Sequence, residues 1–299
     1  MIKQTTQKHS RYVGGHVSCA GGIPTSIGRA VGIGANCLQI FSASPRTWAK
    51  KPLEELPIDE FLIAHKEANM GPTFTHAVYL VNFASESPAA RKKSVDTLIY
   101  DLQFDAAIGG SGVVVHLGSH QGRGWEAVRT QVAQEITTIL ENTPEHSTFL
   151  IENSAGQKGK LSSDLSEIRW LLDAVASPRL GWCLDTCHAF AAGYSFGSED
   201  IPPDNIGKNE PRGDLFTQLE TYDLFSTLQC IHVNDSKDLF ASGRDRHQNI
   251  GEGSIPKEWF ETLLQRPELK SMSLITEAPG FDGKGPDREN IERIRNLVG

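Results

Sequence analysis

The sequence predicts an α/β protein folded as a single (β/α)8 TIM barrel with a metal site at its C-terminal mouth. Short apolar runs alternate with helical patterns about eight times, several runs are apolar without alternation, and six end in His, Asp or Glu. Strands buried on both faces of a parallel sheet are apolar throughout, and strict β-then-α order favours a closed barrel over an open sheet. Such barrels need about 250 residues, and this chain has 299.

The predicted strands are short apolar runs bounded by turn residues. Val113-Val114-Val115 and Phe149-Leu150-Ile151 are the clearest runs without alternation. In chain order, the eight predicted strands are Tyr12–Ser18, Cys37–Ala43, Thr73–Val78, Gly112–Gly118, Thr148–Asn153, Leu180–Thr186, Leu228–Asn234 and Ser273–Ala278.

The predicted helices lie between and after these strands. Ser162-Ser163-Asp164 and Asp287 are predicted helix starts, because hydroxyl and carboxylate side chains accept hydrogen bonds from free backbone N–H groups. Gly193–Arg212, rich in Pro, Gly and Asn, is predicted to be an irregular functional loop. The predicted helices are Thr25–Gly32, Ile58–Asn69, Ala89–Ile108, Trp125–Glu141, Ser163–Ala176, Gly213–Thr227, Lys257–Leu264 and Asp287–Leu297.

Composition limits the classes of function. Acidic residues outnumber basic ones by 37 to 29, and the net charge of −8 argues against a protein that holds nucleic acid mainly by bulk positive charge. Bound divalent cations would add charge that the sequence does not count. The five cysteines include no Cys-x-x-Cys pair, which argues against a disulfide framework.

The sequence also indicates domain organisation and location. Met1–Ser10 is polar and lacks the apolar segment of a signal peptide, and no run approaches the length of a transmembrane helix. We therefore expect a soluble, cytoplasmic protein without a membrane partner. Residues 1–10 are predicted to be a flexible tail, and residues 11–299 a single domain.

Potential metal ligands occur at or near the ends of six predicted strands, which converge on one mouth in a barrel. A single His or Glu at such a place is most often a hydrogen-bonded structural group. Six together would bury charge at high cost without a counter-charge, which a metal cluster supplies. Two local pairs, Asp185 with His188 and Asp245 with His247, strengthen this interpretation. The nine candidate ligands are His76, His116, Glu152, Asp185, His188, His232, Asp245, His247 and Glu277.

The ligand types indicate the metal and the reaction class. Imidazole and carboxylate without thiolate suit Zn²⁺, with Mn²⁺ or Fe²⁺ as substitutes. Catalytic zinc takes about three protein ligands, so nine candidates predict more than one ion and up to three. Metal ions about 3.5–4 Å apart can activate water and stabilise both the attacking and leaving oxygens of a phosphodiester. The residues alone predict a multinuclear metallohydrolase.

Longer motifs around these residues resemble the endonuclease IV family. They run in the family's order from about Tyr12 to the last helix: Gly14–Ser18, Ala20–Gly22, His76–Leu80, His116–His120, Glu152–Gly156, Asp185–Tyr194, His232–Lys237, Asp245–His247 and Ile250–Gly253. The resemblance implies a DNA-repair endonuclease that cuts the phosphodiester 5′ to an abasic site, leaving a 3′-hydroxyl and a 5′-deoxyribose phosphate. It also implies removal of blocking groups from 3′ ends, and a monomer whose partner is double-stranded DNA with either lesion.

The resemblance assigns the ligands to three zinc ions. The first set is His76, His116 and Glu152. The second shares Glu152 and adds Asp185, His232 and Glu277. The third is His188, Asp245 and His247. The resemblance makes Glu152, Asp185 and Glu277 the candidate catalytic residues.

The resemblance also implies DNA contacts at the barrel mouth. Arg46 would enter the minor groove, and Tyr79 and Leu80 would fill the space left by a flipped-out abasic nucleotide. Without the resemblance, these residues would be interpreted as a solvated charge and ordinary packing. His16 and His120 are expected to hydrogen-bond near the ligands rather than to bind metal.

Two other functions stay open at this point. A sugar isomerase or epimerase can share this barrel and bind Mn²⁺ or Mg²⁺, but it would leave His188 and the Asp245–His247 segment without a role. A catalytically silent binder of damaged DNA is the other alternative, and such a protein gains little from a multinuclear site.

Overall fold

Eight parallel strands close into a barrel in the computed structural model, which describes residues 11–197 and 201–298. Each strand pairs with its neighbours in chain order, and the last pairs with the first. The strands are β1 (Val13–His16), β2 (Cys37–Phe41), β3 (Thr73–His76), β4 (Val113–Val115), β5 (Phe149–Glu152), β6 (Leu180–Asp185), β7 (Leu228–His232) and β8 (Ser273–Thr276). The TIM-barrel fold and all eight predicted strands are confirmed; the predicted tail, residues 1–10, lies outside the described residues.

Helices surround the barrel and follow the predicted pattern with one addition. Asp164 begins α5 as predicted, since its side chain accepts a hydrogen bond from Ser166 N at 3.0 Å. The described helices are α1 (Thr25–Gly32), α2 (Ile58–Glu67), α3 (Pro88–Ala107), α4 (Trp125–Glu141), α5 (Leu165–Val175), α6 (Thr186–Ala192), α7 (Leu215–Thr221), α8 (Lys257–Leu264) and α9 (Arg288–Val298). The predicted Gly213–Thr227 helix is shorter, because α7 is followed by a separate 3-10 turn, Phe225–Thr227.

Helix α6 was not predicted from the sequence. All of its residues are buried, so it has no polar face and therefore no amphipathic pattern. Asp185 begins it by accepting a hydrogen bond from His188 N at 2.8 Å. This cap joins two candidate ligands in one local structure.

The described part of the predicted loop Gly193–Arg212 braces a neighbouring segment. Gly207 N donates to Phe240 O at 2.6 Å, and Asn209 N donates to Ala241 O at 2.8 Å. These bonds hold the chain shortly before Asp245, so the loop supports the segment that carries two candidate ligands.

The barrel interior is apolar below its mouth. One buried side chain from each of seven strands packs there: Cys37, Phe74, Val114, Leu150, Cys183, Cys230 and Ile275. Strand β1 approaches β2 so closely that a Cβ on Gly14 would lie 2.0 Å from Cys37 O, which requires glycine. Polar side chains are thus concentrated at the C-terminal mouth. Among the described helices, none is both long and apolar enough to cross a membrane.

Candidate metal centre

The barrel brings the candidate ligands together at its C-terminal mouth. His76, Glu152, Asp185 and His232 are the last residues of β3, β5, β6 and β7. His116 and Glu277 follow β4 and β8 by one position. The parallel register sets Asp185 directly beside His232 on neighbouring strands. The strand ends therefore determine where these side chains lie.

Glu152 lies at the centre of the cluster and contacts four imidazoles. Its Oε2 lies 3.2 Å from both His76 Nε2 and His116 Nε2. Its Oε1 lies 3.1 Å from His232 Nδ1 and 3.3 Å from His188 Nδ1. The carboxylate is fully buried, so it can bridge two metal positions from the inside of the cluster.

Two of the three ligand sets form compact groups. His76, His116 and Glu152 offer ligand atoms that all lie within 4.8 Å of one another. Glu152, Asp185, His232 and Glu277 do the same. These two groups share Glu152, as the family resemblance implies.

The third set forms a chain of contacts instead of one compact group. Asp245 Oδ1 lies 3.0 Å from His188 Nε2 and 3.5 Å from His247 Nε2. His188 and Asp245 group more closely with His116, while His247 groups with Asp185 and Cys187. Cys187 Sγ also lies 3.7 Å from the Arg246 carbonyl, to which it donates.

The imidazoles are oriented as metal ligands commonly are. His76 Nδ1 lies 2.7 Å from Ala77 O, and His188 Nδ1 lies 3.0 Å from Asn153 O. These contacts favour a proton on Nδ1 and leave Nε2 as a ligand atom. His188 Nε2 and His247 Nε2 are buried and form no well-aligned hydrogen bond in the described part of the chain, although Asp245 Oδ1 lies 3.0 Å from the first and 3.5 Å from the second. Buried imidazole nitrogens and a carboxylate oxygen that meet in this way fit a cation bound between them.

Opposite charges in the cluster shift the pKa values of its members. Burial alone would raise the pKa of Glu152, but the charges of His116 and His232 hold it well below its usual range. Burial would lower the pKa of His232, but the charges of Glu277 and Glu152 raise it to about 10. Glu152 is therefore ionised at neutral pH, which is the state in which a carboxylate binds metal.

Two amide side chains orient the ligands, and the sequence interpretation missed both. Gln39 Nε2 donates to Glu277 Oε1 at 2.8 Å, and Gln39 Oε1 lies 2.9 Å from His232 Nε2. Asn234 Nδ2 donates to Asp185 Oδ2 at 2.7 Å. Gln39 had a readable signal, since it is a buried polar residue inside the apolar strand β2. Asn234 had only its place two positions after His232.

The expectation for His16 and the expectation for His120 have different outcomes. His16 Nδ1 lies 2.9 Å from Glu277 Oε1, as expected for a residue that supports a ligand. His120 Nδ1 instead accepts from Gly122 N at 3.1 Å and Gly124 N at 3.0 Å. The expectation was wrong for His120, whose Nδ1 stabilises a glycine-rich turn.

The three candidate DNA-contacting residues are exposed. Tyr79 is 59% exposed and Leu80 is 40% exposed, which is unusual for large apolar side chains. The Tyr79 ring lies 5.7 Å from the His76 ring, between centroids. Arg46 is exposed in the loop after β2 and forms no ion pair with the residues that the structure describes.

The cluster of candidate ligands opens into a cavity of about 490 Å³ at the barrel mouth. Its walls include Tyr79, His116, His188, His247 and Glu277. A substrate in this cavity would reach both compact ligand groups and the third set.

Comparisons with known proteins identify the family. The family model described as "Xylose isomerase-like TIM barrel" matches residues 27–297. "Probable endonuclease 4" of Methanoculleus marisnigri is 36% identical over 96% of this chain and 99% of its own length. The chain belongs to the endonuclease IV family. It is therefore an enzyme, a hydrolase of the endonuclease IV type.

Solved structures give the same family, and the likeness to a sugar enzyme is weaker. Endonuclease IV from Thermus thermophilus has a TM-score of 0.77 and 29% identity over 96% of this chain and 98% of that chain. A 3-keto-D-glucoside 4-epimerase from E. coli has a TM-score of 0.64 and 15% identity over 96% of this chain and 97% of that chain. At that identity, the likeness to the epimerase reflects the shared fold alone.

Proposed function

We propose that this endonuclease IV family member hydrolyses the phosphodiester 5′ to abasic sites in double-stranded DNA. The products would be a 3′-hydroxyl and a 5′-deoxyribose phosphate. The same site would remove blocking groups from 3′ ends, since both reactions cleave a phosphate ester at the same position of the backbone. The observation that carries the proposal is Glu152, a buried carboxylate in contact with four imidazoles.

Three zinc ions are proposed to occupy the cluster in the sets given above. When bound, zinc lowers the pKa of water and neutralises charge on a phosphoryl group. Glu152 would keep the first two positions at a fixed separation. Asp185, His232 and Glu277 would complete the second position. Asn234 and Gln39 hold the two carboxylates, Asp185 and Glu277, in place.

The contacts proposed for damaged DNA lie around the cavity. Tyr79 and Leu80 would fill the space that an extruded abasic nucleotide leaves, and extrusion costs least where a base is missing. Arg46 would enter the minor groove. The chain is proposed to act as a monomer, as the family resemblance implies.

A sugar isomerase or epimerase is the weaker candidate. His188 and His247 both line the cavity, and their buried Nε2 atoms converge on Asp245 Oδ1. A site with one metal ion and mostly carboxylate ligands would leave these atoms without a function. The abasic endonuclease uses both as ligands of the third ion.

The proposal is tested with a duplex that carries one abasic analogue. We expect zinc-loaded protein to cut once, 5′ to the analogue, and to leave a 3′ end that a polymerase extends. A chelator should abolish the cut, and a duplex without the analogue should stay intact. Binding without cleavage would support the silent binder, and aldose–ketose conversion without cleavage would support the isomerase.

A further inference from the structure

A buried ion pair lies behind the loop that carries Arg46. The side chain of Lys50 is 6% exposed and that of Asp101, on α3, is fully buried. Lys50 Nζ contacts Asp101 Oδ1 directly. Lys50 Nζ also donates to Ser42 Oγ at 3.0 Å, and Ser42 Oγ donates to the same Asp101 oxygen.

This arrangement closes the base of the loop formed by residues 43–49. Ser42 and Lys50 flank the loop on either side, and both bind one carboxylate oxygen of Asp101. Tyr100, also on α3, strengthens the closure: its Oη donates to Lys51 O at 2.7 Å, and its ring centroid lies 4.7 Å from Lys50 Nζ. Helix α3 thus fixes where the loop leaves the barrel and where it returns.

The position of this loop affects the surface next to the metal cluster. A cavity of about 720 Å³ is lined by Ala43, Ser44 and Pro45 of the loop. His16 and Phe41 line both this cavity and the one that opens onto the metal cluster. A shift of the loop would therefore change the wall of the mouth as well as the place of Arg46.

We propose that Asp101 is a positioning residue for substrate recognition, acting through Lys50 and Ser42 to hold residues 43–49 where Arg46 meets the DNA. The role rests on the proposed function. Moving the loop away would leave a buried carboxylate without its cation, which is costly. A loop held in its bound conformation loses less entropy when DNA binds, so the pair contributes to affinity through preorganisation.

Kinetics of Asp101→Asn, Arg46→Ala and the double variant test this role. We expect each single variant to raise KM for the abasic duplex about tenfold with kcat within about twofold. The double variant should also show an increase of about tenfold instead of about a hundredfold, because both changes act through Arg46. The control is Asp96→Asn on the same helix, whose pair with Lys92 is exposed and should leave KM unchanged.

The outcomes separate this role from the proposed function. If the wild type cuts abasic DNA while Asp101→Asn keeps a normal KM, or if its effect adds fully to that of Arg46→Ala, the positioning role is wrong. If the wild type does not cut, the proposed function fails and this role fails with it. Should Asp101→Asn not fold, Lys50→Met takes its place with the same expected values, because an Asp101 that has lost its cation can take up a proton.

Discussion

At the scale of single residues, Glu152 determines how the cluster is organised. Its two oxygens contact imidazoles from four different parts of the chain, and it is fully buried. A buried carboxylate stays ionised only while such partners stabilise its charge, and bound metal ions would take over that role. Removing its charge should therefore disturb two metal positions at once.

We expect Glu152→Gln to lower kcat/KM for the abasic duplex by about a hundredfold or more. The amide keeps the shape of the side chain but cannot bridge two cations with negative charge. Zinc content measured by mass spectrometry should fall as well. Glu126→Gln, an exposed change on α4, is the control. A variant that retains activity and metal content would contradict the bridging role.

Leu80 offers a separate test of damage recognition. We expect Leu80→Ala to weaken binding to an abasic duplex about tenfold, since an apolar wedge would be lost, and to leave zinc content unchanged. Leu239→Ala, another exposed leucine, is the matched control. Binding is measured by fluorescence anisotropy on protein loaded with a metal ion that does not support cleavage, so that the duplex stays intact. Unchanged affinity for Leu80→Ala would remove Leu80 from the recognition surface.

At the scale of elements, the junction of β3, β4 and α3 holds a buried acid. Asp105 accepts hydrogen bonds from Thr75 Oγ1 at 2.7 Å and Gly112 N at 3.0 Å. Burial raises the pKa of Asp105 to about 7 in spite of these bonds. The nearby charge of Asp101 acts in the same direction. The folded state therefore keeps a proton that the unfolded state loses at about pH 4.

Asp105 should make stability depend on pH in a known direction. Because the pKa of Asp105 is raised on folding, its proton contributes to the free energy of unfolding. This contribution is fully present below about pH 4 and is lost as pH rises through about 7. Asp105→Asn cannot titrate. For metal-free protein, the difference in free energy of unfolding, wild type minus variant, should fall over this range and then level off. Denaturant titrations at several pH values measure it, and a constant difference would contradict the buried acid.

The sequence predicted the elements that have a recognisable pattern of apolar residues and missed one that does not. All eight strands, and the candidate ligands at or next to the ends of six of them, were readable, because parallel barrel strands are apolar until the mouth. Helix α6 was not readable, since a fully buried helix lacks a polar face. The role of Gln39 depends on which side chains meet across the mouth, and local sequence does not encode that. His120 was misread for a different reason, since its Nδ1 bonds to the backbone of its own glycine-rich turn. The loop closure by Asp101 and Lys50 was not readable either, because these residues lie far apart in the chain.

At the scale of the whole molecule, the closed sheet links every strand to two neighbours. We expect residues 11–299 to unfold in one calorimetric transition, as a single domain does. Metal ions that bind only the folded state stabilise it. The stabilisation is about 2.7 kcal/mol per ion when the free ion concentration is about a hundred times the dissociation constant. A chelator should therefore lower the melting temperature without splitting the transition. Two separate transitions would contradict the single domain.

The metal positions themselves provide the most direct test of the central claim. Anomalous diffraction at the zinc edge, from crystals of the zinc-loaded protein, locates each ion independently of activity. We expect three peaks at the barrel mouth: one at His76, His116 and Glu152, one at Glu152, Asp185, His232 and Glu277, and one at His188, Asp245 and His247. A single peak, or no peak beside Glu152, would contradict the proposed centre.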